Sequence, residues 1–306
     1  MKRDPSHTAR PLWAILLLLG FPLLFGAAIA PWVYQALQAL GEVTDALPKL
    51  TESRFEKVAS RCVMLTAALI LYPVIRMTGL LPELRRGLTP SPDRYRDFRQ
   101  AFLLGAVSMA LLYLAGWALG AYGPHPKAPT GMMLPAALAG FFIGALFIGI
   151  FEEIFFRGLI FGTLRTRLHG AIALLGSSAF FSVIHFFRPR FPEAVTETSW
   201  RTGFELIPHL FARFNPERDV VFAATLFLMG VTLCRFYTRT ANLYFIMGLH
   251  GGWVLAMLTG ANLLRRNPEA WPTLFGHGDL VSKSPLALLV MALFLAASLI
   301  PARKSA

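Results

Sequence analysis

The chain has 306 residues, of which 55% are hydrophobic and 15% charged, with a formal net charge of +12. Its mean hydropathy is +0.55. A soluble domain carries roughly 25% charged residues, so these values exclude a soluble protein built round a large core and define a polytopic membrane protein. The basic excess would suggest nucleic acid in a soluble chain. Here the Lys and Arg residues fall between apolar segments, where they set topology and meet lipid headgroups, and no nucleic-acid partner is expected.

The predicted elements run as follows. Residues 1–10 are polar and carry Lys2, Arg3 and Arg10. Residues 11–37 are apolar. Ala28-Ile29-Ala30 resembles a signal-peptide cleavage site, but the length of the run and the Pro31 that would follow the cut favour an uncleaved first span. Residues 38–57 read as a polar loop or interfacial helix. A second span covers 58–81, with Arg61 at a membrane boundary and Arg76 able to snorkel. Residues 82–99 are strongly basic, and a third span follows at 101–122. A proline-rich linker, 123–131, leads to a fourth span that begins at Met132. The basic turn around His169 closes a hairpin into a fifth span, 171–187. Residues 188–218 form a long polar connection. Spans at 220–236, 241–258 and 285–300 complete about eight helices, each near the roughly 20 residues a bilayer requires. The expected fold is therefore all-α, a multi-pass bundle of the cell (inner) membrane, with both termini and the basic loops on the cytoplasmic side. Its expected divisions are 1–130, 131–262 and 263–306. Cys62 and Cys234 lie in apolar segments and form no zinc pattern and no disulfide framework.

One stretch breaks the apolar pattern. Phe151-Glu152-Glu153-Ile154-Phe155-Phe156-Arg157-Gly158 puts three charges between uncharged runs at 134–150 and 159–164. A charge at bilayer depth costs at least about 2.5 kcal/mol on insertion scales, so such residues are functional by default. Helical spacing sorts them. Glu153 and Arg157 are four apart and can pair on one face. Glu152 is turned about 100° from Glu153 and faces another direction, as a general base aimed at a different helix would.

Two of the seven histidines lie inside apolar segments, His185 and His250. The turn near His169 lies about 17 residues after Glu152 and about 16 before His185. At 1.5 Å per residue both fall roughly 25 Å from it, so they can face each other across an antiparallel pair. His250 lies mid-span and reaches a similar depth. Carboxylate and imidazole groups converging in a low-dielectric cavity are what an intramembrane hydrolase needs to activate water. Phe181 shares a face with His185 and is expected to pack. Gly251 and Gly252 are expected to allow close helix approach.

Taken together, Glu152-Glu153-xxx-Arg157, Phe181-xxx-His185 and His250 resemble the CPBP family, the CAAX-prenyl-protease and bacteriocin-processing intramembrane proteases, across about residues 130–260. The resemblance implies an intramembrane endopeptidase of glutamic type acting on a peptide or membrane-protein substrate in the lipid bilayer. It implies that Glu152 is the base, that Glu153 and Arg157 support it, and that His185 and His250 orient the water or stabilise the oxyanion. The family's third motif usually places Asn or Asp four residues after its histidine; this chain has Val254 there. Either another donor serves, Trp253 or a backbone N–H near Gly251, or catalysis is weak, or the substrate class differs. No cofactor is expected. The His-Glu-x-x-His zinc motif is absent, and zinc held by the two histidines and a glutamate is the alternative left open. Buried Glu and His also serve proton-coupled transporters, although the repeat symmetry of such proteins is missing. The Val254 departure would equally suit an inactive scaffold or immunity-type protein.

Overall fold

Where no water reaches the backbone, a chain must satisfy its N–H and C=O groups internally, and helices do so within one segment. The computed structural model, which describes residues 6–44, 51–78, 81–89, 92–193, 195 and 197–300, follows this rule. Six of its helices are long and apolar enough to cross a membrane: Leu16–Val43, Phe55–Arg76, Arg94–Ala118, Met133–Arg167, Pro216–Thr240 and Leu243–Leu263. The fifth and eighth expected spans appear as shorter apolar helices, Gly170–Ile184 and Pro285–Leu299, of 15 residues each. At 1.5 Å per residue these are about 22 Å long, less than a bilayer's hydrocarbon thickness. The fold is all-α and polytopic. The terminal charges Lys2, Arg3, Arg303 and Lys304 lie outside the described residues, as does the middle of the 38–57 connection.

The chain forms two compact units, one comprising residues up to Leu81 with Ile184–Phe214, the other Pro82–Val183 with the residues from Asn215 onward. In the first, α1 (Ser6–Val43) pairs with α2 (Phe55–Thr78). Helix α1 outruns the expected span at both ends. Gly26 lets the two backbones touch: a Cβ there would lie 2.7 Å from the Val63 Cα. Ala30, Phe55, Val58, Ala59, Cys62 and Leu206 form the core. The 184–214 segment is tied on by Gln35 Nε2, which donates to Thr198 Oγ1 at 2.9 Å, and by the Phe191 N–H, which donates to Glu56 Oε1 at 3.2 Å.

The second unit contains α3 (Leu81–Gly87, from its second residue), α4 (Arg94–Ala118), α5 (Met133–Glu153), a π-helix at Ile154–Phe161, α6 (Gly162–Arg167) and α7 (Gly170–Ile184, to its last residue but one). After the first unit's α8 (Thr202–Glu205) come α9 (Pro216–Thr240), α10 (Leu243–Leu263), α11 (Pro272–Phe275) and α12 (Pro285–Leu299). Helix α10 packs most extensively on α4 and then on α5. Lipid tails give helices no hydrophobic reason to associate, so close contact through small residues carries the packing. Gly252 abuts the Phe102 carbonyl of α4, and a Cβ on Gly149 of α5 would lie 2.7 Å from the Gly251 Cα. Leu103, Val107 and Leu111 of α4 and Ile143 and Phe147 of α5 are exposed apolar side chains that suit lipid contact.

Asparagines start the last two long spans. Asn215 Oδ1 accepts from the Arg218 N–H at 3.2 Å with Pro216 following, and Asn242 Oδ1 accepts from the Tyr244 N–H at 2.8 Å. Ala241, at φ 50°, makes the turn between them. Two regions expected to be loops hold a small sheet instead: β1 (Tyr122–Pro124) pairs antiparallel with β2 (Leu264–Arg266). Buried Arg266 secures it, donating to the carbonyls of Ala121 at 3.0 Å and Gly276 at 2.9 Å. Polar composition alone does not distinguish such a ribbon from an irregular linker.

Candidate active site

The helix carrying the acidic pair is not α-helical throughout. From Ile154 to Phe161 it is a π-helix. The Gly162 N–H donates to the Arg157 carbonyl five residues back, the spacing that defines this rare form, which recurs at functional sites. A uniform 3.6-residue turn was the sequence expectation, and it fails between Ile154 and Phe161 before α6 resumes it.

Glu153 and Arg157 pair as their spacing predicts. Arg157 Nη1 donates to Glu153 Oε1 at 2.7 Å, and the two side chains are 1% and 0% exposed. The same oxygen is 2.7 Å from His250 Nδ1. A carboxylate has no proton to give, so the imidazole Nδ1–H donates. His250 Nε2 then lies toward Glu152, 4.0 Å from its Oε2. One imidazole thus stands between the two acids, anchored to the buried one and facing the other, whose side chain is 24% exposed. The backbone contact of Gly149 and Gly251 makes this meeting achievable, since each glycine lies within a turn of the residues concerned. That His250 would bond Glu153 was not legible in the motifs.

Phe181 of α7 forms a wall of the cluster. It is fully buried, its ring lies 4.4 Å from the Arg157 guanidinium carbon, and it meets the His250 ring edge-on at 6.0 Å. The packing role expected for it therefore includes a cation–π contact. Glu153 Oε2 and Arg157 Nη2 are buried and have no hydrogen-bond partner among the described residues. The cluster is held by one shared oxygen rather than by a bidentate fork.

The structure brings together Glu152, Glu153, Arg157 and His250. His185 lies one residue beyond the end of α7, half-buried, in the segment belonging to the first unit. Among the described residues no group of three His, Cys, Asp or Glu side chains is placed to hold a metal ion.

The place of the usual third-motif Asn or Asp is apolar in fact as well as in sequence, for Val254 is buried. Trp253 is not a substitute donor: its Nε1–H donates to Ser108 Oγ at 3.1 Å, and its ring packs edge-on to Phe294. Trp253→Phe is accordingly expected to leave peptide cleavage within about threefold of wild type while lowering stability by about 1 kcal/mol. A thermal melt in detergent beside a cleavage assay checks both.

Residues 133–256 match the model of a known family, described as type II CAAX prenyl endopeptidase Rce1-like. No curated protein and no solved structure matches the chain. The matched segment begins with α5 and ends within α10, six residues past His250, so it contains the whole cluster of acids, arginine and imidazole. Residues 133–256 of this multi-pass membrane protein thus match an Rce1-like, type II CAAX prenyl endopeptidase domain, which supports the CPBP family of intramembrane proteases.

Proposed function

We propose that the protein is an intramembrane endopeptidase in which Glu152 is the general base. The observation that carries this reading is the single imidazole of His250 between two glutamates, inside a segment of an endopeptidase family. Glu153 and Arg157 fix the ring: the arginine holds the carboxylate, the carboxylate accepts the hydrogen bond from Nδ1–H, and Nε2 is left as an acceptor facing Glu152. A water touching both Glu152 and Nε2 would be oriented by the ring and deprotonated by the carboxylate. The hydroxide attacks the scissile carbonyl, its oxygen takes the negative charge, and the proton held on Glu152 passes to the leaving amine as the C–N bond breaks. The chemistry requires no metal in this scheme.

The substrate proposed is a peptide bond of a membrane-associated or lipidated protein, at the cell membrane. The test is cleavage by purified protein in liposomes, followed by mass spectrometry of the fragments. The probes are a prenylated CAAX peptide and the same peptide without its prenyl group. Cleavage of either at one internal bond supports the endopeptidase. An intact peptide in both arms, with the Glu152→Gln variant indistinguishable from wild type, would reject it in favour of a scaffold. Cleavage of the prenylated form alone would assign the lipid to the substrate.

A further inference from the structure

Two cavities within the first unit share a wall and differ in chemistry. One, of about 290 Å³, has an apolar lining that includes Leu23 and Ala27 of α1, Ala59 and Val63 of α2, and Leu206 and Leu210. The other, of about 670 Å³, surrounds the start of α2 and contains Lys57, Arg61, Arg188 and Arg213. Ser60, Phe187 and Pro189 line both. An apolar slot therefore leads into a basic mouth, and each volume is of the order found for small-molecule sites.

Charge in the mouth is one-sided. Its acids are Glu52 and Glu56. Glu56 is already engaged: Arg54 Nε and Nη2 donate to its two oxygens at 3.2 and 3.0 Å, and the Phe191 N–H adds a third bond. Lys57, Arg188 and Arg213 make no side-chain ion pair among the described residues. Arg61 is the most informative of the group. It belongs to the apolar span Phe55–Arg76, and its Nη1 is shut from solvent with no hydrogen-bond partner among the described residues. A guanidinium so placed is costly unless an acceptor meets it.

We propose that this junction binds an anionic phospholipid, with part of an acyl chain in the slot and the phosphate among Arg61, Lys57, Arg188 and Arg213. A free anion would use the mouth alone and a neutral lipid the slot alone; the shared wall selects a molecule having both parts. The bilayer supplies such a molecule at high local concentration, and basic clusters at its surface attract anionic headgroups. The site lies wholly in the first unit, whereas Glu152, Glu153, Arg157 and His250 belong to the second, although Phe187, Arg188, Pro189, Leu206, Leu210 and Arg213 fall within the matched 133–256 stretch.

The test uses the delipidated full-length protein in detergent and reads lipid binding by native mass spectrometry. Dioleoylphosphatidylglycerol is expected to bind at least about tenfold tighter than dioleoylphosphatidylcholine. Arg61→Gln should weaken the anionic lipid about fivefold and leave the zwitterionic one unchanged, while Arg61→Lys keeps most of the preference. Arg188 and Arg213 are exposed, so Arg188→Gln with Arg213→Gln is the variant least liable to disturb folding, and it should lose the preference as well. Equal binding of the two lipids by the wild-type protein would overturn the proposal, as would an unchanged preference in both glutamine variants. Displacement of the lipid by glycerol phosphate at equal concentration would overturn it too, by showing a free-anion site. Binding is read without hydrolysis, so a protein inactive on peptides can still pass, and an active one can still fail.

Discussion

Glu152→Gln is expected to slow peptide cleavage by about 10²–10⁴-fold, the usual worth of a positioned general base, and to leave the melting temperature within a degree or two. The exchange keeps the size of the side chain and removes its capacity to take a proton. Glu152 is the more exposed of the two acids, at 24% against 0% for Glu153. It stands 4.0 Å from His250 Nε2, beyond direct hydrogen-bond range, so the direct bonds that hold His250 and Arg157 to Glu153 survive the substitution. Full cleavage by this variant would remove Glu152 from the chemistry. A loss of cleavage accompanied by a large drop in melting temperature would instead make its role structural.

Arg157→Ala is expected to act the other way, through the fold. Removing one partner of a buried ion pair leaves the other charge uncompensated, at a cost of about 3–5 kcal/mol. Here the orphan would be the Glu153 carboxylate, which is fully buried, and the Phe181 ring would also lose the cation stacked on it at 4.4 Å. Combining Arg157→Ala with Glu153→Gln removes both charges and should recover part of that loss. Activity should not return in the double variant, since His250 Nδ1 no longer donates to a carboxylate. Chemical or thermal unfolding in detergent checks the order of stabilities: wild type, then the double variant, then Arg157→Ala. A single variant as stable as wild type would contradict the pairing.

Composition made the class of fold legible, because a chain this apolar has few ways to satisfy its backbone in lipid. The Glu153–Arg157 pair was legible because a helix fixes which residues four apart can meet. The roles of Gly251 and Gly252 were legible as small residues at a crossing. Three features were not. The π-helix over Ile154–Phe161 depends on a choice between i→i+4 and i→i+5 bonding that no local composition marks. The bond from His250 to Glu153 rather than to Glu152 is a matter of how α5 and α10 cross, and the sequence holds the same two acids either way. Trp253 looked available as a donor, yet Ser108, 145 positions earlier, already accepts the hydrogen bond of its indole N–H. Periodicity locates residues on a helix face; it does not say which distant helix that face will meet.

The central claim is that Glu152 and His250 act on one and the same water. A double-mutant comparison in liposomes tests it most directly, with kcat/KM for cleavage measured for wild type, Glu152→Gln, His250→Ala and the pair. Groups that work as a unit give grossly non-additive losses. The account predicts a double variant about as slow as the slower single one. Losses that multiply, or a Glu152→Gln enzyme as fast as wild type, would contradict it.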